Sequence, residues 1–149
     1  MTTPGVTRYK QKILSMLYAS EPIKALILGG NTDLTDETWK TRIVPSLRNY
    51  KALSDGTTYI FVDIKTIEES PTISDYAVRI EALSHSTKNE TVNGCRTDLL
   101  SEEADKLFSG SRAFGIGKLQ KQNSDPFFTV NDFIGRRTIY LAKEYSTGR

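Results

Sequence analysis

The stretch TYIFVDI at residues 58–64 gives the clearest indication of the fold. Successive side chains of an extended strand point to opposite faces of a sheet. One face of this strand carries Ile60, Val62 and Ile64, and the other carries Tyr59, Phe61 and Asp63. Because both faces are mostly apolar, we predict a central strand that is covered on both sides.

Helices are predicted upstream of this strand. Apolar residues recur at helical spacing from Val6 to Leu17, which indicates a helix of about three turns. A second, short helix is predicted from Ser20 to Gly29-Gly30, because serine caps helix starts and glycine ends helices. For so short an apolar segment, a buried strand is the competing prediction. A helical turn near Asp36–Lys40 and an extended stretch at Ile43–Leu47 follow.

The residues after the strand predict a loop, a second strand and another loop. Lys65–Thr72 is polar and contains Pro71, so we predict a loop there. Apolar and polar residues alternate across Asp75–Leu83, which predicts a half-buried strand antiparallel to the first. The hydrophilic stretch Ser84–Asn93 has the composition of a loop.

The remaining third of the chain predicts one helix followed by strands. The helix spans about Arg96–Phe108, with Gly110 just past its end. Short strands are predicted at Ile116–Gln122 and Phe127–Val130, separated by a turn at residues 123–126, and a longer strand at Phe133–Tyr145 with a bend at Gly135. Helices that precede adjacent strands indicate an α+β fold rather than alternating βαβ units.

Length and composition limit the functions that the chain can have. Its 149 residues fit a single domain, residues 1–149, and the formal net charge of +2 gives no indication of a nucleic-acid surface. Cys95 is the only cysteine, so no internal disulfide can form. No apolar run reaches the length of a membrane span, so we expect no membrane partner and a reducing cytoplasm or a particle assembled there.

The sequence offers no convincing catalytic, cofactor or metal site. Gly115-Ile116-Gly117-Lys118 is the best candidate for phosphate binding, but a phosphate-binding loop requires glycine at position 112, where Arg112 stands, and Ser or Thr after the lysine, where Leu119 stands. His85 lacks the partners of a triad, because its neighbours Ser84 and Ser86 would point to the opposite face of a strand.

The acidic residues of the helix at residues 96–108 are better explained as a solvated face, and Cys95 as a small residue near a helix start. We therefore expect a protein that is not an enzyme and that has no catalytic residue, no cofactor and no metal.

Three arginines are candidate contacts to another subunit or partner. Arg136 and Arg137 are adjacent on a predicted strand and so lie on its opposite sides. Arg79 lies on the outward-facing side of the strand Asp75–Leu83. Arginine is favoured at protein interfaces and at phosphate contacts, so we predict that Arg79, Arg136 and Arg137 contact a neighbouring subunit or partner. The loops predicted at Lys65–Thr72 and Ser84–Asn93 are further candidates.

The chain resembles the tail-terminator or tail-completion proteins found at the neck of long-tailed bacteriophages. The likeness lies in the order and spacing of elements over most of the chain. It comprises the opening helix, Glu21–Ile27, Ile43–Pro45, Tyr59–Ile64, Tyr76–Ala82, Arg96–Leu100 with Glu103–Asp105, Gly115–Gly117 and Asp132–Tyr140.

The resemblance implies a mixed, mainly antiparallel sheet flanked by helices and a structural role without catalysis. It implies a homo-oligomer, usually a hexameric ring, that caps the tail tube, docks to the head-side connector or stopper protein, and lets the genomic DNA pass through its lumen. The expected location is the virion neck, after assembly in the host cytoplasm. Another phage structural role, as a minor tail or head-completion protein, and a small cytoplasmic nucleotide-binding enzyme are the alternatives.

Overall fold

A computed structural model describes residues 6–30, 34–46, 58–69, 73–111, 118–129 and 131–145 of the protein. The helices are α1 (Val6–Tyr18), α2 (Glu21–Gly29), a 3-10 helix (Trp39–Arg42), α3 (Ser86–Asn89) and α4 (Arg96–Phe108). The strands are β1 (Ile43–Val44), β2 (Thr58–Glu69), β3 (Ile73–His85), β4 (Glu90–Thr91), β5 (Gly94–Cys95), β6 (Gln120–Phe128) and β7 (Phe133–Tyr145).

Five of the described strands form one sheet in the order β1-β2-β3-β7-β6. β1 is parallel to β2, and the other neighbours are antiparallel. The fold is therefore α+β with a mixed, mainly antiparallel sheet, as predicted. β2 lies between β1 and β3, so the prediction of a central rather than an edge strand at residues 58–64 is confirmed, and β3 is the middle strand of the five. β2 borders β1, which is only two residues long.

Helices α1, α2 and α4 pack on one face of this sheet, which we call the helix face. Their buried side chains form one apolar cluster with the inward-facing residues of β2, β3 and β7. The helical contributors are Tyr9, Ile13, Leu17, Ile23, Ile27, Leu100, Ala104 and Phe108. The sheet contributors include Ile60, Val62, Val78, Ile80 and Tyr140. Burying so many large apolar side chains is the main stabilising contribution to the fold.

The second face of the sheet, opposite the helices, has its own small apolar cluster. Val44, Phe61, Leu83 and Phe133 are buried there, with Tyr59 and Phe127 packed against them. Phe61 is fully buried, so β2 carries buried side chains on both faces, as its sequence predicted. Gly135 lies beside Leu83 and Phe127, and a Cβ atom at this position would collide with both side chains.

The short apolar segment after Ser20 is a helix, not a strand. The Ser20 hydroxyl accepts a hydrogen bond from the Ile23 backbone N–H at 3.3 Å, which satisfies one of the free donors at the helix start. Gly30 ends the helix and lies against Thr58 and Arg96, where a Cβ would not fit. None of the helices in the described part of the chain combines the length and apolar character of a membrane-spanning helix.

Two predicted loops proved to be ordered structure. β2 continues through Glu69 and β3 begins at Ile73, so the loop predicted at Lys65–Thr72 was wrong for most of its length. Pairing between β2 and β3 continues as far as Glu69 with Ser74 and satisfies the backbone hydrogen-bonding groups of this segment. The segment has no alternating apolar pattern that would have predicted a strand. The stretch Ser84–Asn93 contains the end of β3, helix α3, and the first strand and turn of the β4–β5 hairpin.

The turn predicted at residues 123–126 was also wrong, because β6 runs unbroken from Gln120 to Phe128. β6 is an edge strand, and proline is tolerated at an edge because one side of the strand needs no N–H donor. The pairing of β7 with β3 continues past Gly135 without a register shift, so β7 is one continuous strand there. A helical turn was predicted at Asp36–Lys40, and the structure has a 3-10 helix slightly later, at Trp39–Arg42. Of the extended stretch predicted at Ile43–Leu47, the described strand β1 comprises Ile43–Val44. Residues 47–57 and 112–117, which include part of the strand predicted at Ile116–Gln122, lie outside the described residues.

Candidate interaction surfaces

Two of the candidate arginines meet a buried carboxylate on the second face of the sheet. Glu81 of β3 pairs in register with Arg137 of β7, and its side chain is 0% exposed. Its Oε2 atom lies 2.8 Å from Nε of Arg137 and 4.0 Å from Nε of Arg79. The Arg137 guanidinium also lies over the Phe127 ring, 4.8 Å from its centroid. Arg79 and Arg137 are therefore held by contacts within the chain, with about a third of each side chain still exposed.

Arg136 lies on the helix face, beside a groove between α4 and β6. This groove has a volume of about 330 Å³ and is lined by Asp98, Ser101, Glu102, Asp105, Lys121, Ser124, Arg136 and Thr138. Arg136 Nε donates to Asp98 Oδ1 at 2.8 Å, and Nη1 donates to the Ser124 carbonyl oxygen at 3.1 Å. The prediction that Arg136 and Arg137 lie on opposite sides of one strand is confirmed.

Asp105 links the groove to the core of the helix face. Its Oδ1 accepts a hydrogen bond from the Tyr140 hydroxyl at 2.8 Å, and its Oδ2 lies 3.3 Å from Lys121 Nζ. Burial, together with the hydrogen bond to Asp105, raises the pKa of the Tyr140 hydroxyl above its usual range. Tyr140 therefore stays protonated in the folded protein when an exposed tyrosine would ionise.

Replacing Tyr140 with Phe should lower the free energy of unfolding at pH 7 by about 1 kcal/mol, because Asp105 loses a donor. Above about pH 10 the unfolded chain releases this phenolic proton while the folded chain keeps it, so the wild type loses stability as the pH rises. The variant has no such proton at this position, and the difference between the two proteins should shrink above pH 10. Urea unfolding at several pH values measures this. A difference that stays constant from pH 8 to pH 11 would contradict the raised pKa.

Two large apolar side chains are exposed at one end of the sheet, which we call the apolar end. Val92 is 100% exposed at the tip of the β4–β5 hairpin, and Phe128 is 79% exposed at the end of β6. Phe128 pairs with Ile134, and Ile134 pairs with Ser84 near the end of β3. The hairpin follows β3 after the four residues of α3, so both residues lie towards this end of the sheet.

The hairpin that carries Val92 is held by its own hydrogen bonds. The Thr91 hydroxyl donates to the Gly94 carbonyl at 2.7 Å and accepts from the Asn93 backbone N–H at 3.1 Å. The tip therefore has a defined shape even though Val92 itself makes no buried contact. Sequence reasoning missed both residues. The sequence signal for the first of them was a single apolar residue, Val92, within a polar stretch, which indicates an apolar side chain on the surface.

The other candidates from the sequence do not come together as a site. The His85 ring bonds Thr87 at 2.9 Å and packs edge-on against Phe133, while the Ser84 hydroxyl bonds Thr58 on the helix face. Cys95 is exposed at the end of β5. Within the described ranges, no group of three or more histidine, cysteine or acidic side chains has the geometry of a metal site. Gly115–Gly117 lies outside the described residues.

Comparison with known proteins identifies the family. Residues 10–142 match the YomW family, which is nearly the whole chain. The protein belongs to the YomW family. The family carries the name of a phage-associated gene product of the SPβ-like kind, which indicates a phage-encoded protein. No curated protein matches this sequence.

Proposed function

We propose that this YomW-family protein is a structural component of a phage virion, located at the neck. In this role it forms a homo-oligomeric ring, hexameric by its resemblance to tail-completion proteins. The ring caps the tail tube and joins it to the head-side connector while the genomic DNA passes through its lumen. The proposal includes the absence of catalysis and assembly in the host cytoplasm.

The apolar end is the observation that carries this proposal. Large apolar side chains that are exposed on a hairpin held by its own hydrogen bonds, and at a strand end, are candidates for contact with another protein. Val92 and Phe128 are both exposed, and neither contributes to a core cluster. A protein that contacts a tail tube uses apolar side chains at the centre of its contact surface, and these two are available for that role.

Phage origin and fold support the same role. The family indicates a phage-encoded protein, and the mixed sheet with helices on one face is the architecture implied by the resemblance. A net charge of +2 over 149 residues also suits a ring whose lumen DNA crosses without being held.

The test introduces Val92→Asp and Phe128→Asp together into the phage that encodes the protein. Docking to the neighbouring protein would then bury two carboxylates where the wild type buries two apolar side chains. The cost of desolvating these charges should weaken docking about 100-fold or more. Electron microscopy of lysates should then show filled heads separated from tails. Asn93→Asp is the matched control for the hairpin substitution, because it adds one negative charge next to Val92 without removing an apolar side chain and should leave virions joined.

Two outcomes would contradict different parts of the proposal. If the double variant folds and yields joined, infectious virions, the apolar end makes no essential contact. If deletion of the whole gene leaves heads and tails joined, the neck function itself is wrong.

A further inference from the structure

The floor of the groove between α4 and β6 is formed by two facing rows of side chains. Residues three and four apart share one side of a helix, so Asp98, Ser101 and Asp105 form one row on α4. Alternate residues share one face of a strand, so every second residue from Arg136 to Tyr140 forms the other row, on β7. The hydrogen bonds described above join the two rows at both ends, at 2.8 Å each. The middle members, Ser101 and Thr138, lie between these bonds, and both line the groove.

Ser101 is the residue that points to a ligand. It is only 9% exposed, and its hydroxyl forms no hydrogen bond within the described part of the chain. By contrast, the Ser15 hydroxyl of α1 donates to the Gln11 carbonyl one turn back at 3.0 Å. A buried hydroxyl without a partner costs free energy, and the groove is the side from which a partner can reach Ser101.

The cationic donors of the groove are already committed to its own acceptors. Arg136 donates through Nε to Asp98, and through Nη1 to the carbonyl oxygen of Ser124 at 3.1 Å and to its hydroxyl at 3.2 Å. Lys121 Nζ lies 3.3 Å from Asp105 Oδ2. Neither cation therefore balances a further negative charge in the groove.

The groups that remain available in the groove are mainly oxygen acceptors. The hydroxyls of Ser124 and Thr138 share one hydrogen bond at 3.1 Å, which leaves lone pairs on both oxygens. Glu102 is exposed at the rim and forms no ion pair among the described residues, since Lys106 bonds Glu103 instead, at 2.7 Å. A ligand that complements this surface carries a positive charge and several hydrogen-bond donors.

We propose that the groove binds a primary ammonium group, with Ser101 and Thr138 accepting hydrogen bonds from it at the floor and Glu102 balancing its charge at the rim. An ammonium has three donors and no acceptor, which matches this set of oxygens. At about 330 Å³ the groove is as large as the smaller ligand sites of proteins and has room for a short alkyl chain. The group can come from a lysine side chain of a neighbouring protein or from a free alkylamine. The site goes beyond the proposed role at the neck and does not depend on it.

Titration of the purified protein with n-butylammonium, followed by NMR of the backbone amides, tests the site. Saturable shifts are expected for the amides of Ser101, Glu102 and Thr138. Ser101→Ala and Glu102→Gln should each weaken binding about tenfold, because each removes one acceptor of the ammonium group. Ser101→Ala should keep α4 intact, since alanine is the better helix former. Glu103→Gln is the matched control, because this carboxylate bonds Lys106 on the same helix and should leave the affinity unchanged.

Two further titrations define the chemistry and the source of the ligand. Tetramethylammonium carries the charge without an N–H donor and should not bind. Equal binding of tetramethylammonium, no saturable shift with n-butylammonium, or unchanged affinity in both groove variants would overturn the proposal. Tighter binding of N-acetyl-lysine methylamide than of diaminobutane identifies a protein side chain as the ligand, and the reverse order identifies a free amine. These measurements use the isolated protein, so failure of the site and failure of the neck function are distinguishable.

Discussion

Replacing Arg137 with Met is expected to lower the free energy of unfolding by about 3 kcal/mol, the largest effect among the charged residues of the sheet. Glu81 is 0% exposed, and Arg137 Nε is the cation 2.8 Å from its Oε2 atom. Removing that cation takes from a desolvated carboxylate the closer of its two described arginine partners, because Arg79 Nε is 4.0 Å away. Met keeps most of the apolar stem and so isolates the charge.

Arg79→Met is the matched control for this prediction. Arg79 lies on the same face and approaches the same carboxylate, but from a longer distance and with a third of its side chain in solvent. Partly exposed pairs of this kind contribute little, so we expect a loss below about 1 kcal/mol. Urea unfolding of both variants measures the difference. Equal losses for the two arginines would show that the Arg137–Glu81 pair is not the dominant one.

Arg96→Met should lower the free energy of unfolding by a similar amount, about 3 kcal/mol. Arg96 is buried at the start of α4, where its Nη1 donates to the Leu26 carbonyl at 2.6 Å and its Nε donates to the Lys88 carbonyl at 2.8 Å. It thereby connects the end of α2 and helix α3 to α4. Burial lowers the pKa of Arg96, but an arginine keeps its charge at any ordinary pH.

The control for Arg96 is Lys106→Met on the same helix. Lys106 is exposed and contacts only Glu103 one turn away among the described residues, so its replacement should leave the urea midpoint unchanged. An Arg96→Met protein that unfolds at the wild-type midpoint would contradict the view that α2, α3 and α4 are held together by this side chain.

The elements with strong periodicity were predictable from the sequence. Helices α1 and α4 begin and end within one residue of the prediction, and the alternation in Asp75–Leu83 gave the correct faces of β3. Polar strands were not predictable. Residues 65–69 and 123–126 have the composition of a loop or turn, and pairing with neighbouring strands makes them strands. That pairing depends on residues far along the chain, so no local pattern reports it.

The candidate surfaces were predictable only in part. Alternation alone placed Arg136 and Arg137 on opposite faces, as the structure has them. Their partners could not be foreseen, because Asp98 lies 38 positions from Arg136 and Glu81 lies 56 positions from Arg137. The three arginines were predicted as contacts to another subunit. The structure shows each of them engaged within the chain with part of its side chain exposed, and their role as contacts to another subunit stays a prediction.

The position of the protein in the virion tests the central claim most directly. Cryo-electron microscopy of purified virions should show a closed ring of this fold at the neck, between the tail tube and the head-side connector, with the apolar end buried against a neighbouring protein. Absence of the protein from purified virions, or its location on the capsid shell or at the tail tip, would contradict the proposed function.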